Sequence, residues 1–230
     1  MIAFLKLIRY KNLIMVLLTL VLTKYAITNS FITLFDFQFT LLSISILFIT
    51  ASGYIINDIF DVQADIINKP AKVFIDTTIP KKKAYIVYFT LSILGFLLGI
   101  YASYIKGNIS YSLFFISTII LLFWYSKSLK RIAFIGNIVV SFLTALTIFI
   151  VFVFELESVD TASNIFEAIV NFLKLIPTTI ALLWYLIFAF SINLIREIIK
   201  DTEDNKGEYS LKMKTLPILI GINRTKNVAL

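Results

Sequence analysis

Residues 39–65 read FTLLSISILFITASGYIINDIFDVQAD: an apolar run over 39–57, then Asn57, Asp58, Asp61 and Asp65. A run of this kind has about the length a helix needs to cross the hydrocarbon core of a bilayer. The polar residues that close it recur every three or four positions, so a continuing helix gathers them into one stripe on one face. A second apolar run, over 175–195, ends in the same way with Glu197, Asp201, Asp204 and Glu208. Like charges at this spacing repel by roughly 0.2–0.5 kcal/mol per pair, and ionised groups near a bilayer cost more. Cationic partners are therefore expected, and an all-oxygen donor set suits a hard divalent ion, magnesium above all.

Working outward, the remaining apolar runs place further spans near 13–30, 84–105, 110–126 and 132–154, six in all. With 59% hydrophobic and 15% charged residues and a mean hydropathy of +0.92, the chain is too apolar for a water-soluble domain. The expected fold is all-α, a polytopic transmembrane bundle forming a single membrane domain over 1–230. The N-terminal segment resembles a signal sequence but has no small-x-small cleavage site, so it reads as a retained first span.

Positive charge gives the expected topology. Of 21 Lys and Arg residues, 18 fall on one side of this layout. They lie before the first span (Lys6, Arg9, Lys11), after the second (Lys69, Lys72, Lys81, Lys82, Lys83), after the fourth (Lys127, Lys130, Arg131) and after the sixth. Only Lys24, Lys106 and Lys174 lie opposite, where Glu155, Glu157, Asp160 and Glu167 also fall. The positive-inside rule then puts the N-terminus and both acidic clusters on the cytoplasmic side of a multi-pass cell-membrane protein. The net charge of +7 is explained by topology and anionic lipid, without nucleic acid as a partner.

The chain has no Cys and no His. Disulfides, Cys/His zinc sites, His-ligated haem and Ser-His or Cys-His nucleophiles are excluded. Chemistry must fall to Asp, Glu, Asn, Lys, Arg and Tyr. Each acidic cluster also has a plainer reading. The first could be a solvated helix end with Lys69 paired to Asp65, although nothing comparable offsets Asp58 and Asp61. The second, with Arg196, Lys200 and Lys206 among its acids, could be an ordinary salt-bridged helix. Together, two acidic stripes on one membrane face can each hold a metal and clamp a diphosphate between them. Two basic elements would complete such a site: Tyr125 to Arg131, and Lys69 with Lys72.

Segments 58–83 and 196–215 read as polar loops, and 155–174 as a short amphipathic excursion on the opposite surface. Pro80, Pro177 and Pro217 fall at or near expected helix starts. After Pro217 an apolar run begins like a seventh span, followed by a polar turn over Asn223–Asn227.

These segments resemble the signatures of the UbiA-type intramembrane prenyltransferases. The likeness rests on Asn57-Asp58-x-x-Asp61-x-x-x-Asp65 with Asn68-Lys69-Pro70, and on Tyr125-Ser126-x-x-Leu129-Lys130-Arg131 with Gly136-Asn137. It continues through Arg196-Glu197-Ile198-Ile199-Lys200-Asp201-x-Glu203-Asp204 and Lys214-Thr215-Leu216-Pro217. They are most similar to the digeranylgeranylglyceryl phosphate synthase branch, which moves a geranylgeranyl group onto a glycerophosphate ether lipid. The resemblance implies two Mg2+ ions held by Asn57, Asp58, Asp61, Asp65, Asp201 and Asp204, with Asp61, Asp65 and Asp201 as catalytic carboxylates. It implies an isoprenyl diphosphate bound by Lys69, Lys72, Tyr125, Lys130, Arg131, Arg196 and Lys200, and a lipid acceptor such as geranylgeranylglyceryl phosphate. An aromatic quinone precursor is the alternative acceptor, and a cation transporter or a non-catalytic membrane remnant the alternatives from other classes. Three departures stand out. Residues 71–80 lack the family's usual second Arg-Pro and Ser-Gly turn, Glu208 stands where Asp is common, and the family's roughly nine spans imply that this chain is C-terminally truncated.

Overall fold

The computed structural model describes residues 2–28, 36–155, 165–211 and 213–229. Within them the chain forms α1 (Ile2–Leu7), α2 (Tyr10–Thr28), α3 (Phe37–Asn68), α4 (Lys81–Ile105) and α5 (Ser112–Lys127). It continues through α6 (Ile135–Glu155), α7 (Ile165–Ser210), α8 (Leu216–Ile220) and α9 (Ile222–Ala229). Three 3₁₀ turns, at Pro70–Lys72, Ile109–Tyr111 and Leu129–Arg131, join them. Among the described residues six helices are long and apolar enough to cross a membrane, and the only β-pairing is two isolated bridges. The all-helical, six-span architecture expected from the apolar runs is the one observed.

α3 is the hub, packed against α2, α4, α5 and α7. Small residues make its contact with α4 close. The Ser45 hydroxyl donates to the Gly95 carbonyl at 2.7 Å, and a Cβ on Gly95 would lie 2.8 Å from Ile49 Cγ1. In a bilayer, where hydrophobicity does not drive helices together, such backbone approach is what packing gains from. Asp36 caps α3 by accepting from the Phe39 amide at 2.7 Å. Asp36 also pairs with the buried Lys24 of α2, which reaches Glu155 at the end of α6 at 2.9 Å. One ammonium thus ties the ends of three helices together, far from the acidic clusters. Outward faces of α4 (Ile86, Phe89, Ile93, Leu97) and α7 (Leu183, Trp184, Ile187, Phe188) are exposed and apolar, as acyl chains require.

Several boundaries differ from expectation. The polar segments 58–68 and 196–210 are not loops; both continue the helix of the preceding span, because their acids find tertiary partners that hold them in register. Pro177 lies well inside α7 rather than at its start, an arrangement membrane helices tolerate when neighbouring groups satisfy the freed carbonyl. Of the expected excursion over 155–174, residues 156–164 lie outside those described, and 165 onward is already helical. The expected start of a seventh span is instead the five-residue α8, stopped at Gly221 with φ 86°. The polar turn after it is α9, an amphipathic helix.

Candidate active site

The two acidic stripes meet. Asn57, Asp61, Ala64, Asp65 and Asn68 of α3 face Glu197, Lys200, Asp201, Asp204 and Glu208 of α7 across an open cavity with about 600 Å³ of free space, open solvent included. Tyr125 of α5, Lys130 of the 3₁₀ turn, Gly136 and Asn137 of α6, and Met213 close it. The lining positions on each long helix recur at three- and four-residue steps, so helical periodicity alone gathers each set.

Two glycines set how the walls approach. The Asn68 side chain donates to the Asp204 carbonyl at 2.8 Å and accepts from the Gly207 amide at 2.7 Å. A Cβ on Gly207 would lie 2.5 Å from Asn68 Nδ2 and 2.7 Å from the Ala64 carbonyl. This contact fixes the register of α7 against α3, and therefore of one acidic stripe against the other. At Gly136 a Cβ would lie 2.8 Å from the Lys130 Cα, so glycine there lets the 3₁₀ turn lie on α6 and carry the Lys130 ammonium into the cavity.

The local partners define the electrostatics. Lys130 pairs with Asp61 and donates to Asn57 Oδ1 at 3.3 Å, while Asn57 donates to Asp61 at 2.8 Å. Burial pulls the Lys130 ammonium below the ordinary lysine range even with Asp61 beside it. Asp201 accepts from Asn137 at 2.9 Å, and Glu208 from the Thr215 hydroxyl at 2.7 Å. Glu197, only 5% exposed, takes both Lys200 at 3.1 Å and Arg196 at 3.2 Å.

The structure sorts the expected site residues. Asn57, Asp61, Asp65, Asp201 and Asp204 line the cavity, as do Tyr125, Lys130 and Lys200. Asp58 does not; it pairs with Arg9 at 2.6 Å. The expectation that nothing offsets Asp58 and Asp61 is therefore wrong, since Arg9 and Lys130 do so. Lys69 pairs with Asp204 rather than Asp65. Arg131 is exposed outside the lining, and Arg196 lies on the flank of α7 with its side chain 62% exposed. The side chain of Lys72 lies outside the described residues. Glu197, Asn68 and Asn137 line the cavity without having been assigned a role from sequence. For Glu197 the signal was present, four residues before Asp201 on the same stripe.

Arg9 was legible only as a topological anchor. It sits at the α1–α2 junction with φ 51° and its guanidinium lies over the Tyr54 ring at 5.1 Å. Arg9→Ala is expected to destabilise the protein by about 1–3 kcal/mol, because it strands a largely buried carboxylate. Adding Asp58→Asn should restore most of that loss, which thermal unfolding of the two variants in detergent would measure.

Six carboxylates (Asp61, Asp65, Glu197, Asp201, Asp204, Glu208) and two ammonium groups (Lys130, Lys200) line the cavity, a formal charge of −4. A lining of this formal charge disfavours an anion that arrives without a cation. Among the described residues no three carboxylates converge on one point as a preformed cage. Mg2+ does not need one, since it binds through one or two carboxylates together with substrate phosphates and water. The carboxylate oxygens of this lining therefore fit Mg2+ that arrives with a phosphorylated ligand.

A membrane helical bundle with an acidic, lysine-bearing cavity at one end is the class that fold and site define. The sequence profile of the UbiA prenyltransferase family matches residues 12–230, and the chain belongs to that family. It is 34% identical to the digeranylgeranylglyceryl phosphate synthase of Sulfurisphaera tokodaii, over 77% of this chain and 55% of that protein. To the synthase of Saccharolobus solfataricus it is 36% identical, over 79% and 56%. To that of Methanothermobacter thermautotrophicus it is 31% identical, over 95% and 67%. The chain thus spans little more than half the length of the first two. A structure from work on digeranylgeranylglyceryl phosphate synthase in membranes superposes with TM-score 0.67 at 25% identity, covering 99% of this chain and 71% of that one. A UbiA homologue from Archaeoglobus fulgidus bound to DMAPP and Mg2+ does so with TM-score 0.63 at 18% identity, covering 98% and 72%, a likeness of fold.

Proposed function

We propose that this cavity transfers an isoprenyl group from an isoprenyl diphosphate to a lipid acceptor, geranylgeranylglyceryl phosphate in particular. The observation that carries the proposal is the convergence of two helical acid stripes on one −4 cavity that also presents Lys130 and Lys200. The relatives named digeranylgeranylglyceryl phosphate synthase support the choice of substrates, and a protein of the same fold binds DMAPP and Mg2+.

In this proposal Asn57, Asp61 and Asp65 on α3, with Asp201 and Asp204 on α7, would hold Mg2+, whose charge would offset that of the diphosphate and make it a better leaving group. Lys130 and Lys200 contribute point charges to diphosphate oxygens. Lys130 is held in place by Asn57 and Asp61, and Lys200 by Glu197. Asn68 and Gly207 keep the two walls at the separation the reaction needs. The bond between the allylic carbon and the diphosphate oxygen breaks, and an acceptor hydroxyl oxygen bonds to that carbon. Its proton leaves toward the carboxylate-rich cavity. No protein nucleophile is required.

The test is a transfer assay in Mg2+ on this chain and on a full-length relative, offering geranylgeranyl diphosphate with either geranylgeranylglyceryl phosphate or 4-hydroxybenzoate. Faster prenylation of the phosphorylated lipid, and loss of reaction when its phosphate is removed, is expected. Preference for the aromatic acid would overturn the choice of acceptor and leave isoprenyl transfer standing.

We further propose that the cavity opens to the cytoplasm, on the 18-to-3 division of basic residues. The chain has no native Cys, so single cysteines report cleanly. Lys82→Cys and Lys206→Cys should react with an impermeant thiol reagent from the cytoplasmic face only, and Ser110→Cys only from the other. Labelling of the first two from opposite faces would contradict the proposal.

A further inference from the structure

One turn before the cavity-lining Glu197, and outside that lining, α7 carries a buried polar side chain, Asn193. Asn193 stands four residues before Glu197, one helical turn or about 6 Å along the helix, and is 9% exposed. Its Oδ1 accepts from Arg196 Nη1 at 3.3 Å. A guanidinium only donates, so this bond fixes which end of the amide is oxygen and turns Nδ2 the other way. Nδ2 is buried and has no hydrogen-bond partner. An unpaired buried donor costs folding free energy, and the bond to Arg196 uses only the oxygen end of the amide. The next turns of the same face are apolar: Ala189, Leu186 and Leu182 pack with Ile148 and Phe152. Asn193 therefore marks the boundary between the polar cavity and the apolar interior.

The cavity-lining acids Asp201, Asp204 and Glu208 all lie the other way along α7. A ligand oxygen that meets Nδ2 would belong to a molecule reaching from the cavity mouth into the apolar layer. We infer that Asn193 binds an oxygen of the prenyl acceptor, its hydroxyl or neighbouring ether oxygen, and so positions the acceptor for attack. This assignment rests on the prenyl-transfer proposal above. Arg196 serves it as a positioning residue, holding the amide by its oxygen, rather than as a diphosphate ligand.

Two variants remove the donor. Asn193→Leu deletes the polar group, and Asn193→Asp retains an oxygen for Arg196 but cannot donate when ionised. In the geranylgeranyl transfer assay both should raise KM for geranylgeranylglyceryl phosphate by roughly tenfold, the scale of one buried hydrogen bond, with KM for geranylgeranyl diphosphate unchanged. Asn193→Leu should also melt no lower than wild type without ligand, since it removes an unsatisfied group; a bracing residue would lower the melting temperature. An unchanged acceptor KM in both variants, a rise confined to the diphosphate KM, or a lowered Asn193→Leu melting temperature would overturn the inference. If Asn193→Leu does not fold, the inference is overturned on stability grounds. If wild type transfers nothing, the prenyl-transfer proposal fails by itself. Thermal stabilisation by geranylgeranylglyceryl phosphate, present in wild type and lost in Asn193→Asp, then supports acceptor binding at Asn193, and equal stabilisation of both overturns it.

Discussion

Asp201→Asn is expected to lower prenyl-transfer turnover by at least about a hundredfold, equivalent to about 2.7 kcal/mol of lost transition-state stabilisation. It is the cleanest of the acidic substitutions. The Asp201 carboxylate accepts from the Asn137 amide and has no salt bridge among the described residues, so an amide of the same shape strands no cation. Asp61→Asn would leave the buried Lys130 without its partner and mix a folding defect into the result. Turnover should be measured at saturating Mg2+ and diphosphate, beside a melting curve. Turnover within a few-fold of wild type would remove Asp201 from the metal-binding set.

Gly207→Ala should be nearly as damaging, although it changes no charge. The new methyl would meet the Ala64 carbonyl at 2.7 Å as well as Asn68 Nδ2 at 2.5 Å. The asparagine can swing away, but a helix backbone cannot. α3 and α7 must therefore separate, and a misplacement near 1 Å between groups that act together costs about a hundredfold in rate. A stability loss of about 1–3 kcal/mol should accompany it, as for other overpacked contacts. Gly53→Ala is the control. Its methyl would meet only the flexible Leu122 side chain, at 3.0 Å, and activity should remain close to wild type. Equal effects of the two alanines would show that the α3–α7 register does not govern the site.

The six spans were legible because about 20 apolar residues in a row admit little else. The acid stripes were legible because their spacing is helical. Polar composition misled the boundaries: residues 58–68 and 196–210 read as loops, yet each is the cytoplasm-proposed extension of a membrane helix held by partners distant in sequence. The pairs Arg9–Asp58, Lys69–Asp204 and Lys24–Glu155 join residues between 49 and 135 positions apart, and no local pattern announces them. Basic residues were hardest to place. Lys130 and Lys200 face the cavity while Arg131 and Arg196, one and four positions away, do not, and all four look alike as positive charge near a membrane surface.

The most direct test of a dication-dependent diphosphate site is equilibrium binding of geranylgeranyl diphosphate to the purified chain as Mg2+ is titrated. It needs no acceptor and no turnover. With a formal cavity charge of −4, the diphosphate should bind far more weakly in EDTA and gain at least about a hundredfold in affinity as Mg2+ is added, with Asp201→Asn displacing the Mg2+ midpoint upward. Diphosphate binding of equal strength in EDTA and in saturating Mg2+ would contradict the account.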